Sequence, residues 1–198
     1  MSGRQGIIVG ISGASGAAIG VRIVELLADN PRCAVHLVVS PAAERTLNEE
    51  VGRDALARLR TLAFRDHVHS DVGASIASGS YPIAGMIVAP CSIRTLSAIA
   101  WGQLDNLLTR AADVQLKERR RLVLLVRESP LHLGHLRAML QATEIGAIIA
   151  PPMPAFYLRP QSLDEVIDHI AARAINLLDL ANLRIPAKIW SGPAMESN

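Results

Sequence analysis

Residues Gly6 to Gly20 read G-I-I-V-G-I-S-G-A-S-G-A-A-I-G, and this stretch decides the fold. It opens with a short apolar β-type run, Ile7-Ile8-Val9. It then becomes a turn of small residues, Gly10, Ser12, Gly13, Ala14, Ser15 and Gly16. Helical periodicity follows, with Ile19, Ile23, Leu26 and Leu27 on one face. Strand, glycine-rich turn and helix together make an anion cradle. Glycines let the backbone approach a phosphate, and the first-turn N–H groups face it with the positive end of the helix dipole. Ser12 and Ser15 add hydroxyl donors. The plain alternative is a tight connecting turn that binds nothing.

The spacing also bounds the ligand. The glycines fall at 10, 13 and 16, not as G-x-G-x-x-G. A dinucleotide fold carries an acid at the end of its second strand for the ribose hydroxyl. Here that strand, Val35 to Val39, ends in Ser40. This argues against NAD and for a mononucleotide or another phosphorylated ligand.

Outward from this stretch, strands and helices alternate. The first helix is expected over about Ala17–Ala28 and is closed by Asp29-Asn30-Pro31, since proline cannot continue it. Ser40-Pro41 starts the next helix as cap and first residue, with a restart after Gly52. Asp66 to Gly79 reads as a long polar loop. Gly85–Ala89 and Leu122–Val126 are uniformly apolar, as strands buried on both faces should be, and Ala147–Ala150 is expected as a further strand. Asp105 or Asn106 caps a helix over about Leu107–Arg120. Ser129-Pro130 precedes one over Leu131–Thr143. Ser162, with Glu165 three residues on, opens a last helix running to about Leu183. The expectation is an α/β chain: a single Rossmann-like domain over 1–198, with a parallel sheet flanked by helices on both faces. Its core covers about 6–183, and the C-terminal helix leads into a tail over 184–198. In such sheets ligands sit beyond the carboxyl ends of the strands. Gly13–Gly16, Ser40, Ser92–Thr95, Arg127 and Tyr157 should therefore converge.

Bulk properties exclude several classes. The 198 residues are half hydrophobic, only 3% aromatic, and carry a net charge of +2. That is too mild for a nucleic-acid module. The basic residues concentrate between Arg110 and Arg127, which suits a small anionic substrate. Two cysteines, Cys33 and Cys91, make no disulfide framework, and no histidine pattern has metal-ligand spacing. The expected compartment is the reducing cytoplasm, with no membrane span and no signal peptide.

Four further segments stand in a telling order. They are P-C-S-I-R-T-L-S at Pro90–Ser97, D-N-L-L-T-R-A-A-D-V-Q-L-K-E-R-R at Asp105–Arg120, L-V-L-L-V-R-E-S-P-L-H at Leu122–His132, and P-P-M-P-A-F-Y at Pro151–Tyr157. With G-I-S-G-A-S-G before them, they resemble the flavin prenyltransferases of the UbiX/Pad1 family, flavoproteins formerly described as aromatic-acid decarboxylases. The likeness covers about Gly6 to Leu180. It implies transfer of a dimethylallyl group from dimethylallyl monophosphate to N5 and C6 of reduced FMN. The product, prenylated FMN, serves a UbiD-type decarboxylase. It also implies a homo-oligomer, often a dodecamer, with sites shared between subunits.

By position, the resemblance assigns flavin contacts to Gly13, Ala14, Ser15, Ser40, Ser92, Ile93, Arg94, Thr95 and Arg127. It assigns prenyl-phosphate contacts to Arg110, Lys117, Tyr157 and Arg173, and places Trp190 near the prenyl group. Ser15, Glu50, Glu128 and Lys117 match catalytic positions. Ile19 departs from the tyrosine common there, and Met153 and Arg94 stand where members differ. The chemistry fits these residue types. A departing phosphate needs fixed cations and a hydroxyl, and a cation-like prenyl group needs π faces. Absence of a D-D-x-x-D motif agrees with a monophosphate that needs no metal. The residues leave open whether Glu50 takes the flavin proton or protonates the phosphate. Two rival readings are a non-catalytic FMN carrier subunit and an FMN-dependent decarboxylase. The oxidative cysteine decarboxylases are disfavoured because Pro90–Thr95 reads P-C-S-I-R-T rather than P-A-S-A-N-T.

Overall fold

The computed structural model describes residues 3–181 and 183–186. Six parallel strands form one sheet: β1 (Gln5–Ile11), β2 (Cys33–Val39), β3 (Arg65–His67), β4 (Ile83–Cys91), β5 (Arg121–Val126) and β6 (Ile148–Ile149), in the order β3-β2-β1-β4-β5-β6. The helices are α1 (Ala17–Ala28), α2 (Pro41–Glu50), α3 (Ala55–Leu62), α4 (Ile93–Ala100), α5 (Leu107–Lys117), α6 (Leu133–Glu144) and α7 (Leu163–Asn176). The order reverses direction between β1 and β4, the position at which doubly wound sheets open a crevice.

Successive strand residues point to opposite faces, and the two cores follow that alternation. Ile7, Val9 and Ile11 of β1 join Leu37, Ile87 and Leu125 beneath α1 and α7. Ile8 joins Val38, Met86 and Leu124 on the other face, with Leu96 of α4, Leu108 of α5 and Ala138 of α6. Each large aliphatic side chain buried here stabilises the fold by roughly 1.5–3 kcal/mol. Helix α1 lies unusually close to the sheet. A Cβ on Gly20 would fall 2.2 Å from the Ala89 carbonyl oxygen, so glycine is what allows this approach.

Three expectations are corrected. The Asp66–Gly79 loop contains the end of an edge strand, β3, and a short 3-10 turn over Ser75–Ala77. Strand β3 is R-D-H with only His67 buried, so it carries no apolar signal. The last helix ends at Asn176, not near Leu183. Leu177 and Leu178 turn out of it, and Asp179 takes a left-handed φ of 53°. The Asn176 amide then holds Ile185 by paired hydrogen bonds of 2.9 Å. Helix α6 starts at Leu133 because His132 is its cap: its ring nitrogen accepts from Gly134 N–H at 3.0 Å.

Helix α2 positions the site. It does not run straight back along the sheet. Its start packs on the β1 turn, where a Cβ on Gly13 would meet Ala42 Cβ at 2.4 Å. Its last residue, Glu50, reaches the first turn of α1. It therefore crosses the carboxyl edge of the strands.

Candidate active site

At the crevice between β1 and β4, Ser12 is buried and ties the two following turns together. Its N–H and hydroxyl both donate to the Pro90 carbonyl, at 3.2 and 2.9 Å, and its oxygen accepts from Ser92 N–H at 2.8 Å. Ser12 was expected as a ligand donor; its hydrogen bonds are spent on the scaffold. Ser92 caps α4, accepting from Thr95 N–H at 3.3 Å and donating to the buried Thr95 hydroxyl at 3.1 Å. Ser40 caps α2, accepting from Ala43 N–H at 3.2 Å. Its own hydroxyl proton has no partner among the described residues.

The first turn of α1 differs from the expected open cradle. Glu50 Oε2 accepts from Gly16 and Ala17 N–H at 2.9 and 2.8 Å, so a carboxylate of this chain already occupies the positive helix end. The physical reason is that α2 ends beside it. The N–H groups of Gly13 and Ser15, one step earlier in the turn, have no partner among the described residues. Burial works against ionisation of Glu50. The Ser15 hydroxyl, the Ala17 and Gly16 N–H groups and the Arg127 charge outweigh it and hold the carboxyl below its usual range. Glu50 is thus a carboxylate at neutral pH. It can accept a hydrogen bond or a proton, and it is not a store of protons for a leaving group.

Arg127 follows β5, and its N–H donates to Cys91 O at 3.1 Å. Ser15, Glu50 and Arg127 are therefore brought together across three strands. Arg94 is exposed and paired with Asp105 at 2.9 Å, while Ile93 is half-buried beside Ser92. Glu128 is exposed and accepts from Ser129 N–H at 3.0 Å. Ala14 N–H closes the turn onto Ser12 O at 2.8 Å.

A second group lies on the β6 flank. Tyr157 sits in a 3-10 turn over Phe156–Leu158 and is exposed. Arg173 of α7 lines a cavity of about 80 Å³ with Leu125, Pro151, Met153 and His169. Arg110, in the first turn of α5, is half-buried and paired with Asp113 at 3.2 Å, and it stands apart from this group: the start of α5 is held on the β3 side, where Leu107 N–H donates to His69 O at 2.8 Å.

Lys117 is not brought to either group. It ends α5 four residues before β5 begins, is paired with Glu118, and lies beside Gly79, which precedes β4. It therefore stands at the amino edge of the sheet. The six residues of β5 separate it from Arg127, a span of about 20 Å. Trp190 lies outside the described residues.

Sequence reading overlooked the buried pair His36–His67, whose ring nitrogens meet at 2.9 Å next to Tyr81 and Phe64. The histidine in β2 interrupts an otherwise apolar strand, and that was the available signal. It also overlooked His169, one helical turn before Arg173 and hence on the same face.

The chain matches the Flavoprotein family over residues 1–175. It is 56% identical over 174 residues to the flavin prenyltransferase UbiX of Salmonella typhimurium, a match covering 88% of this chain and 92% of that one. Among solved structures it resembles AnUbiX (PadA1) in complex with FMN and dimethylallyl pyrophosphate. That match has a TM-score of 0.85 and 44% identity, and it covers 89% of this chain and 93% of that one. It also resembles a dodecameric FMN-dependent Ubix-like decarboxylase from Escherichia coli O157:H7, with a TM-score of 0.86, 42% identity, and coverage of 89% and 96%. On this agreement along nearly its whole length, the chain belongs to the flavoprotein family and, within it, to the UbiX flavin prenyltransferases.

Proposed function

We propose that this chain transfers a dimethylallyl group from dimethylallyl monophosphate to N5 and C6 of reduced FMN, forming prenylated FMN for a UbiD-type decarboxylase. The observation that carries the reading is the joining of Ser15, Glu50 and Arg127 at the β1/β4 crevice, in a chain 56% identical to a flavin prenyltransferase. The crevice suits a flavin mononucleotide. Gly13 and Ser15 N–H and the Ser40 hydroxyl are donors without partners among the described residues. Any side chain at position 13 would press on Ala42. Arg127 adds a cation for the flavin or its phosphate.

When bound, reduced FMN supplies the nucleophilic N5 and C6 positions. The chain does the rest. Arg173, Arg110 and the Tyr157 hydroxyl hold the phosphate as the allylic C–O bond breaks and its electron pair leaves with oxygen. Fixed donors of this kind are typically worth ~3 kcal/mol each in the transition state. Glu50, already ionised, orients Ser15 and accepts hydrogen bonds at the flavin edge. Glu128 is the second carboxylate within reach of the β5 end. The proton given up by N5 goes to a carboxylate or to the released phosphate. Ring closure at C6 breaks the prenyl double bond, which takes a proton back from that same group while C6 releases its own. Trp190 supplies an aromatic face to the prenyl group.

Lys117 joins this site from another copy of the chain, since its own strands hold it at the far edge. We read the protein as a homododecamer with shared sites. Leu133, Leu136 and Leu140 support this, standing 60%, 49% and 59% exposed along one face of α6, as do exposed Met153 and Phe156. Among the described residues no helix is long and apolar enough to cross a membrane, and we place the enzyme in the cytoplasm.

The test is anaerobic incubation of the protein with reduced FMN and either dimethylallyl monophosphate or the diphosphate, followed by the mass of the extracted flavin. A gain of one prenyl unit with the monophosphate, absent without protein, is the expected result. Unmodified flavin from an FMN-loaded protein would replace this reading with the carrier.

A further inference from the structure

At the amino edge of the sheet, far from the crevice of the same chain, a cavity of about 260 Å³ is lined by Arg119, Arg120 and Arg121 together with Leu116, Ile145 and Ile148. The three arginines are not equivalent. Arg120 donates to the carbonyls of Tyr81 and Gly79, at 3.2 and 2.6 Å, and braces the chain before β4. Arg121 is offset by Asp179 at 3.2 Å. Arg119 is exposed, and its guanidinium has no partner among the described residues.

Arg119 is also in the wrong backbone conformation for its type. Helix α5 closes with Arg120 N–H on Gln115 O at 2.9 Å and Arg119 N–H on Leu116 O at 3.1 Å. This paired closure puts the residue after the cap in the left-handed region, where glycine is the usual choice. Arg119 sits there with φ 58°. Cations near a helix carboxyl end are ordinary, because they face the negative end of the dipole. That accounts for positive charge in this corner. It does not account for an arginine at the single position where glycine is conformationally cheaper, and such strain collects at functional positions.

We propose that this cavity is a second anion site, taking a small ligand by a phosphoryl group on Arg119. A guanidinium offers paired N–H donors that match phosphate oxygens. The aliphatic wall of Leu116, Ile145 and Ile148 leaves room for a short apolar body behind that head. The proposal does not depend on the prenyl-phosphate assignment of Arg173.

The experiment is calorimetric titration of the FMN-loaded, full-length protein with inorganic phosphate and with n-butyl phosphate. The variants are Arg119→Gly, Arg119→Lys and Arg173→Ala. FMN loading keeps the flavin's own phosphate site filled. Two sites per chain are expected. Arg119→Gly removes one, weakening it at least tenfold. Because glycine relieves the left-handed strain, its melting temperature stays level or rises by roughly 2–4 °C. Arg119→Lys keeps the charge and part of the affinity, and Arg173→Ala removes the other site. Tighter binding of butyl phosphate than of phosphate assigns the ligand to phosphoesters; equal affinity assigns it to free phosphate. An Arg119→Gly isotherm identical to that of the parent protein overturns the proposal. So does loss of all binding on Arg173→Ala alone. If instead a single site is seen that Arg119→Gly removes and Arg173→Ala leaves intact, the anion site stands and the role given to Arg173 falls; a single site that either variant removes places Arg119 in the shared site and overturns the proposal.

Discussion

The β1/β4 crevice and the β6 flank carry the two halves of the proposed site, and they are built differently. In the crevice the supporting groups are engaged within the chain, Ser12 with Pro90 and Ser92, and Glu50 with Gly16, Ala17 and Ser15, while the Gly13 and Ser15 N–H groups stay open among the described residues. On the flank Tyr157, Met153 and Phe156 stand exposed on a short irregular segment, and Arg173 lines only a small cavity. On the proposed reading, the difference teaches that the flavin half is preorganised by one chain. The prenyl half is built on exposed side chains of an irregular segment. Preorganised donors cost nothing to orient at the moment of reaction. Exposed ones must be ordered by whatever covers them.

The sharpest way to break this division is Arg173→Ala. Loss of a cation that holds the leaving phosphate should lower turnover by about 10²–10³-fold. FMN occupancy, read from flavin absorbance after gel filtration, should stay within about twofold. Equal loss of both would show that the two halves are one.

Acid attacks neither region directly but the β2/β3 edge of the sheet, where His36 and His67 meet. His36 is 2% exposed, and burial first, then the charges of His67 and Arg65, push its pKa down to about 4. His67 is lowered too, again chiefly by burial. Both rings are held neutral in the folded chain, so the unfolded chain binds more protons below its ordinary value of 6.5. Stability is therefore complete above pH 6.5 and is lost as pH falls toward 4. The loss from His36 alone is about 3 kcal/mol at the low end. Urea unfolding at pH 7.5, 5.5 and 4.5 measures it, and His36→Phe should flatten the dependence. An unchanged slope in that variant would move the effect elsewhere.

Gly13→Ala tests whether the preformed half depends on shape. The new Cβ would meet Ala42 Cβ at 2.4 Å, so the turn or α2 must shift. Overpacking of this kind costs roughly 1–3 kcal/mol. FMN affinity should fall about tenfold or more, with the prenyl-phosphate KM of the remaining holoenzyme little changed. Flavin fluorescence quenching reads the first quantity, and a normal dissociation constant would remove Gly13 from the flavin contacts. The smallest effect expected is that of Glu50→Gln. The amide oxygen can still accept from Gly16 and Ala17, so folding and FMN binding should hold while turnover slows by about tenfold, or 1.4 kcal/mol in the barrier. Unchanged turnover would reduce Glu50 to a helix cap.

Local chemistry made much of this molecule legible in the sequence. Helix α1 starts and stops where the turn residues and Asn30-Pro31 say it should. Ser40, Asn106 and Ser162 each cap the helix that follows. The buried strands announce themselves by unbroken apolar runs. Strand β3 was invisible because edge strands this short hold their place by pairing with β2, not by burying side chains. Within the site, the hydroxyls and Arg127 were legible from their positions after strands. Their division of labour was not: Ser12 and Ser15 look alike in sequence, yet one is locked into the scaffold and the other faces Glu50.

By itself, then, the sequence determined the alternation of strands and helices, the caps between them, the aliphatic core and the family. All of these rest on patterns a few residues long. Only the tertiary structure decided that Glu50 fills the positive end of α1, that Lys117 stands a strand's length from Arg127, and that three arginines share a cavity with Ile145 and Ile148. The reason is physical. Those facts depend on where α2 crosses the sheet and on which edge each strand presents, and both are set by packing between segments far apart in the chain.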